Sequence, residues 1–183
     1  MPKPALRQQL LERREKFASS ADADAARRAL AHHLKTILHQ LEPERLGLYW
    51  AHRSEFNAVA ALRDDTLLAR LPMALPFARR TPPEMQFRAW DGLAPTLQDE
   101  CGIPACEGAT VVPDVVLVPC VGFTVEGLRL GYGGGYFDRW LALNPGVTAV
   151  GVAWALGEIE PGDFEAQAHD QALTLVVTER GVV

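Results

Sequence analysis

The segment Arg129-Leu-Gly-Tyr-Gly-Gly-Gly-Tyr-Phe-Asp-Arg139 lies between an apolar run, Val115-Val-Leu-Val-Pro119, and Trp140-Leu141, where a helix can continue. Strand, glycine bend and helix in that order are the repeating unit of an α/β domain. Glycines free the backbone and let a ligand approach it closely. A helix start after such a bend offers unpaired N–H groups and partial positive charge, which suits phosphate. The two arginines add charge and directional donors. Asp138 can hold a Mg²⁺ that bridges phosphate oxygens. The same spacing also suits a tight turn with structural glycines, and the residues themselves leave both readings open. Known phosphate fingerprints do not fit. No Lys follows the glycines as a P-loop requires, and GxGxxG fails at Tyr136 or at Asp138.

Working outward, the helical spacing predicts α-helices over 3–18 and 21–41, the second capped by Ser20 and closed by Pro43. A third is expected over about 55–69, capped by Ser54, and a fourth over about 135–143. Strands are expected at 46–50, at 73–77 with Pro76 near an edge or strand end, at 85–90, 115–118, 147–154 and 173–178. Residues 91–113 read as a long loop, and Glu126-Gly127 as a hairpin turn. Helices alternate with strands. The expected fold is therefore α/β: one domain over 1–183, a largely parallel sheet with helices on both faces. In such a sheet ligands bind beyond the carboxyl ends of strands. The loop carrying Glu55 and the glycine segment are thus candidates to share one pocket.

Composition excludes several classes. A net charge of −5 gives no global attraction to nucleic acid, although residues 1–45 hold half of the 18 cations. Cys101, Cys106 and Cys120 form no CxxC pair, which fits free thiols in a reducing compartment. No apolar run approaches a membrane span and Met-Pro-Lys-Pro carries no signal-peptide core, so a cytoplasmic protein is expected.

Several segments together resemble the 5-formyltetrahydrofolate cyclo-ligase (methenyltetrahydrofolate synthetase) family. They are Lys3-Pro-Ala-Leu-Arg7, Leu48-Tyr-Trp-Ala-His-Arg-Ser-Glu-Phe-Asn57, Leu75-Pro76 with Met85-Gln-Phe87, Val118-Pro119 with the glycine segment, and His169-Asp170. The resemblance implies a single domain of phosphosugar-isomerase and CoA-transferase-like architecture. It implies an ATP- and Mg²⁺-dependent conversion of 5-formyltetrahydrofolate to 5,10-methenyltetrahydrofolate by a monomer acting on small molecules, with no nucleic-acid or membrane partner. By that resemblance Lys3, Arg7, Arg129, Gly131, Tyr132, Gly133, Gly134, Gly135, Tyr136 and Phe137 would line the ATP site. Glu55 and Asn57, with Tyr132 to Tyr136, would border the folate. Arg129 and Tyr136 would act on the transferred group, and Asp138 and Asp170 would bind Mg²⁺. The chain departs from relatives at Gly134, where some carry Lys, at Phe137, where a Tyr is common, at Asn57, where an acid often stands, and at Ala105-Cys106, where a Glu-Pro is seen. Two rivals remain at this level. One is a repurposed relative that binds ATP or folate without coupling them. The other is an isomerase or CoA-transferase, for which Glu126 is the only tempting carboxylate.

Overall fold

In the run Val115–Val118, alternate side chains enter two different cores. Val115 and Leu117 join one apolar cluster, and Val116 and Val118 another. That alternation is the period of a strand buried on both faces, and it fixes a three-layer arrangement. The computed structural model describes residues 2–183. Two helices open the chain, α1 (Lys3–Ala18) and α2 (Ala23–Leu41). They are followed by β1 (Leu46–Gly47), α3 (Ala58–Leu62), β2 (Met73–Arg80) and β3 (Pro83–Trp90). Three short pairings come next: β4 (Leu97–Gln98), β5 (Pro104–Ala105) and β6 (Thr110–Val111). The second half contains β7 (Val115–Pro119), β8 (Gly122–Phe123), β9 (Arg129–Leu130) and α4 (Tyr136–Leu143). It ends with β10 (Thr148–Val152), β11 (Leu175–Thr178) and β12 (Gly181–Val182).

The main sheet has eight strands in the order β12-β11-β10-β7-β1-β2-β3-β6. Pairings from β11 through β10, β7 and β1 to β2 are parallel, and β12, β3 and β6 join antiparallel. On one face α2 packs Leu30, Leu34 and Leu38 against Leu46, Leu117, Val150 and Val177. On the other, α4 packs Trp140 and Leu141 against Val116, Val118, Ala149 and Phe87. Each fully buried leucine of this kind contributes about 1.5–3 kcal/mol relative to exposure. A third cluster seats Leu6, Leu10 and Leu11 of α1 on Val121, Leu130 and Ile159. This last contact anchors α1 against the β8–β9 hairpin, at the end of β7 where a ligand is expected. The hairpin turns at Gly127, φ +81°, as Glu126-Gly127 suggests. Among the described residues no helix is long and apolar enough to cross a membrane.

Four expectations are corrected. The helix expected over 55–69 is only Ala58–Leu62, followed by a 3₁₀ turn at Leu68–Arg70. Asp65 interrupts it, because its carboxylate accepts from the Leu67 and Leu68 amides and competes with the helix. Its cap is Asn57, whose Oδ1 accepts from the Ala60 amide at 3.0 Å, and not Ser54. Ser20 does not cap α2. Its carbonyl closes a turn with the Ala23 amide, and Asp22 occupies the cap position without a side-chain bond. The long loop over 91–113 contains the β4–β5 pair and β6, which forms one edge of the main sheet. Pro76 lies inside the sheet. Strand β1 pairs with β2 only as far as Ala74, so the missing N–H of Pro76 breaks no bond on that side.

Candidate active site

A cleft of about 470 Å³ opens at the carboxyl ends of β1 and β7, within the usual range for small-molecule sites. Five parts of the chain bring polar groups to it, and Pro76, Ala78, Met85 and Pro119 complete the lining. The start of α1 brings Lys3 and Arg7, and the loop after β1 brings Trp50, His52 and Glu55. The β4–β5 turn brings Asp99 and Cys101. The glycine segment contributes Arg129 to Asp138, and a late loop contributes Asp170. Every residue expected at the site lines this cleft except Asn57, which caps α3.

The glycine segment is shaped by the cations around it. A Cβ on Gly131 would lie 2.6 Å from the Arg129 guanidinium, so only glycine leaves that arginine its place. Arg7 Nε donates to the Gly131 carbonyl at 2.6 Å and ties α1 to the bend. Gly135, at φ +63°, caps α4 in the left-handed region. The first-turn amides of α4 thus begin at the cleft. Arg129 is buried. It donates to Asp138 at 2.7 Å, and its Nε has no partner among the described residues. Its guanidinium lines the cleft, where it adds positive charge beside the glycine bend.

The two expected metal carboxylates are each held by a cation. Asp138 accepts from Arg129 and, through Oδ1, from the Gln171 amide at 3.2 Å. Asp170 accepts from Lys3 at 2.7 Å and from the Gln167 amide at 2.8 Å. Burial works against its charge, but Lys3 and the Gln167 amide prevail and hold its carboxyl below the ordinary value. Among the described residues no three His, Cys, Asp or Glu side chains gather as a metal cage. Two carboxylates in one cleft nonetheless fit Mg²⁺, which takes one or two from protein and the rest from phosphate and water.

The opposite wall is made by Glu55, His52 and Tyr132. Glu55 accepts from the His52 amide at 2.7 Å. Burial pushes its carboxyl above the ordinary value, against the pull of that amide, Arg14 and Tyr132. The Tyr132 phenol is pushed up to about 12, by burial first and by Glu55 second. Tyr136 stands at the lip. The Cys101 thiol donates to its hydroxyl at 3.4 Å and Arg139 lies over its ring at 5.1 Å. The contact with Cys101 is the main cause that raises its phenol. Phe137 packs its ring toward Phe87, with Arg129 at 5.6 Å. Trp50 and His52 line the cleft, whereas Phe87 is core and Trp90 packs edge-on against Trp50.

Sequence reasoning missed three residues. Arg14 is 2% exposed and touches both Ser54 and Tyr132. The available signal was a cation four residues after Leu10, on the apolar face of α1. Asp99 accepts from the amides of Ala78, Cys101 and Ile103 and so fixes the β4–β5 turn at the cleft. Cys101 reaches Tyr136 only because of that turn, and no local pattern announces it.

Known proteins resemble this chain in sequence and in fold. Residues 1–179 match the 5-formyltetrahydrofolate cyclo-ligase family. A 5-formyltetrahydrofolate cyclo-ligase from Haemophilus influenzae is 26% identical over 146 residues, 74% of this chain and 76% of its own. One from Mycoplasma pneumoniae is 37% identical over 67 residues, 36% of this chain and 39% of its own. Among solved structures, the 5,10-methenyltetrahydrofolate synthetase of Aquifex aeolicus superposes with a TM-score of 0.73 at 28% identity, covering 100% of this chain and 92% of that one. That of Mycoplasma pneumoniae shares the fold, with a TM-score of 0.75 at 24% identity over 98% and 99%. The chain belongs to the 5-formyltetrahydrofolate cyclo-ligase family, a family of ligases of folate one-carbon metabolism.

Proposed function

We propose that the protein converts 5-formyltetrahydrofolate to 5,10-methenyltetrahydrofolate with consumption of ATP, releasing ADP and phosphate. The N5-formyl group is an amide, so its oxygen is a poor leaving group. Transfer of the ATP γ-phosphoryl group to that oxygen gives an iminium phosphate and ADP. N10 of the same folate then attacks the activated carbon, its proton passes to solvent, and the C–O bond breaks with departure of phosphate. Such chemistry needs juxtaposition of two ligands and neutralisation of a migrating charge more than it needs an acid–base pair.

The residues divide accordingly. Lys3, Arg7, Gly131 and Gly133 to Gly135 bind the phosphates, and Phe137 closes the floor of that subsite. Arg129 and Tyr136 stabilise the group in transfer. Glu55 accepts hydrogen bonds from the pterin, and Tyr132 borders it. Asp138 and Asp170 would hold Mg²⁺, which when bound offsets charge on the phosphate oxygens. Asn57, capping α3, has no direct role in this scheme. In this scheme a monomer acts on two small molecules in the cytoplasm.

One observation carries the reading: Arg129 and the glycine bend, with its helix start, line the same cleft as Glu55. The test is the near-ultraviolet absorbance of methenyltetrahydrofolate formed from 5-formyltetrahydrofolate. Product should form with MgATP, with one ADP released per turnover, and not when MgATP is omitted. ADP release that ignores folate would favour a repurposed relative.

A further inference from the structure

Helix α1 buries a charge where its apolar face calls for a leucine. Arg14 follows Leu10 and Leu11 on that face and is as hidden as they are. An arginine so placed is held by hydrogen bonds and opposite charge, because a buried cation without them is strongly unfavourable. Its Nε donates to Ser54 Oγ at 3.0 Å, and its terminal NH2 donates to the Tyr132 hydroxyl. Its guanidinium also lies 5.7 Å from the centre of the Tyr132 ring. Ser54 neighbours Glu55 in the loop after β1, and Tyr132 belongs to the glycine bend. His52 completes the set, its ring edge-on to Tyr132 at 5.9 Å and its amide on Glu55 at 2.7 Å. Glu55, His52 and Tyr132 line the cleft, and Arg14 stands behind them, outside the lining.

We propose that Arg14 is a positioning residue for the folate half of the site, clamping the Ser54–Glu55 segment and Tyr132 into one preformed wall. This role rests on the proposed activity. A reduced pterin presents several N–H donors along one edge, and an acceptor for them must be both fixed and ionised. Arg14 serves each need. It bridges two loops far apart in sequence, and it sets a cation beside a carboxyl whose charge burial disfavours. The phosphate half is held by different contacts, Arg7 to the Gly131 carbonyl and Arg139 to the Gly134 carbonyl. Loss of Arg14 should therefore damage one substrate and spare the other.

The test is steady-state kinetics of methenyltetrahydrofolate formation, with each substrate varied in turn. Arg14→Gln should raise KM for 5-formyltetrahydrofolate about tenfold, as for loss of a charged hydrogen bond, and leave KM for MgATP unchanged. Arg14→Lys, which returns the charge without the fork, should recover part of that loss. Tyr132→Phe should raise the same KM, and combining it with Arg14→Gln should add less than the two separately, since both remove one contact. If Arg14→Gln raises both KM values alike, or neither, the role is overturned. If that variant does not fold, Tyr132→Phe decides, and an unchanged folate KM rejects the clamp. Failure of the unmodified protein to form product overturns the activity itself and this role with it.

Discussion

Glu55 sets stability against function. Burial holds its carboxyl above the ordinary value. A carboxyl raised in the folded state favours the fold while protonated, and that contribution is lost as pH rises through the folded value. Glu55→Gln is accordingly expected to stabilise the protein at pH 7 by about 1 kcal/mol, or about 2–4 °C in Tm. The gain should vanish below about pH 4, where the unmodified side chain is itself protonated. The same variant should raise KM for 5-formyltetrahydrofolate, so thermal melts and kinetics check opposite signs. Asp138 gives a second residue-level prediction. Asp138→Asn keeps the shape and the bond from the Gln171 amide. Turnover should fall about a hundredfold, as when one charge-stabilising group is removed, and the urea midpoint should drop as well, because buried Arg129 loses its counter-charge. Unchanged turnover would reject a metal role. That the glycine segment and Asp138 border a cleft was legible from type and order, whereas Lys3, Arg7 and Asp170 were singled out only by the family resemblance. Arg14 was singled out by neither. A cation on an apolar face gains meaning only when Tyr132 and Ser54 arrive from elsewhere in the chain.

Among the elements, the least regular one has the largest consequence for the site. The β4–β5 turn lies in a stretch that reads as loop, yet Asp99 accepts three amides there and ties the turn to Ala78 of β2. Asp99→Ala leaves those donors buried and unpaired. We expect a loss of about 2–4 kcal/mol, read as a lower urea midpoint at constant slope. Tyr136 should also become more mobile once Cys101 is released, visible as broader tyrosine resonances in NMR spectra. The long helices and the central strands were predictable because many apolar residues repeat with one period. Helix α3 was not, since Asp65 cuts it with side-chain bonds that a count of apolar positions ignores.

At the scale of the molecule, the parallel order β11-β10-β7-β1-β2 delivers the loops after β1 and β7 to one edge of the sheet. Helix α1 then closes that edge by its leucines on the β8–β9 hairpin, which brings Lys3 and Arg7 across from Glu55. A ligand bound there adds contacts between these parts that exist only in the folded state, so binding should stabilise the whole. MgADP at about a hundred times its Kd is expected to raise Tm by about 5–10 °C, and ADP without Mg²⁺ by clearly less. Equal shifts with and without the metal would contradict the roles given to Asp138 and Asp170. The amino-acid order by itself determined the α/β class, the strand and helix periods, and the glycine bend between a strand and a helix, because each is written in neighbouring residues. Tertiary structure alone decided that Asn57 turns away to cap a helix, that Asp99 pins the far wall, and that a buried arginine joins two loops. Those contacts unite groups distant along the chain, and their energies exist only once the sheet has brought them within reach.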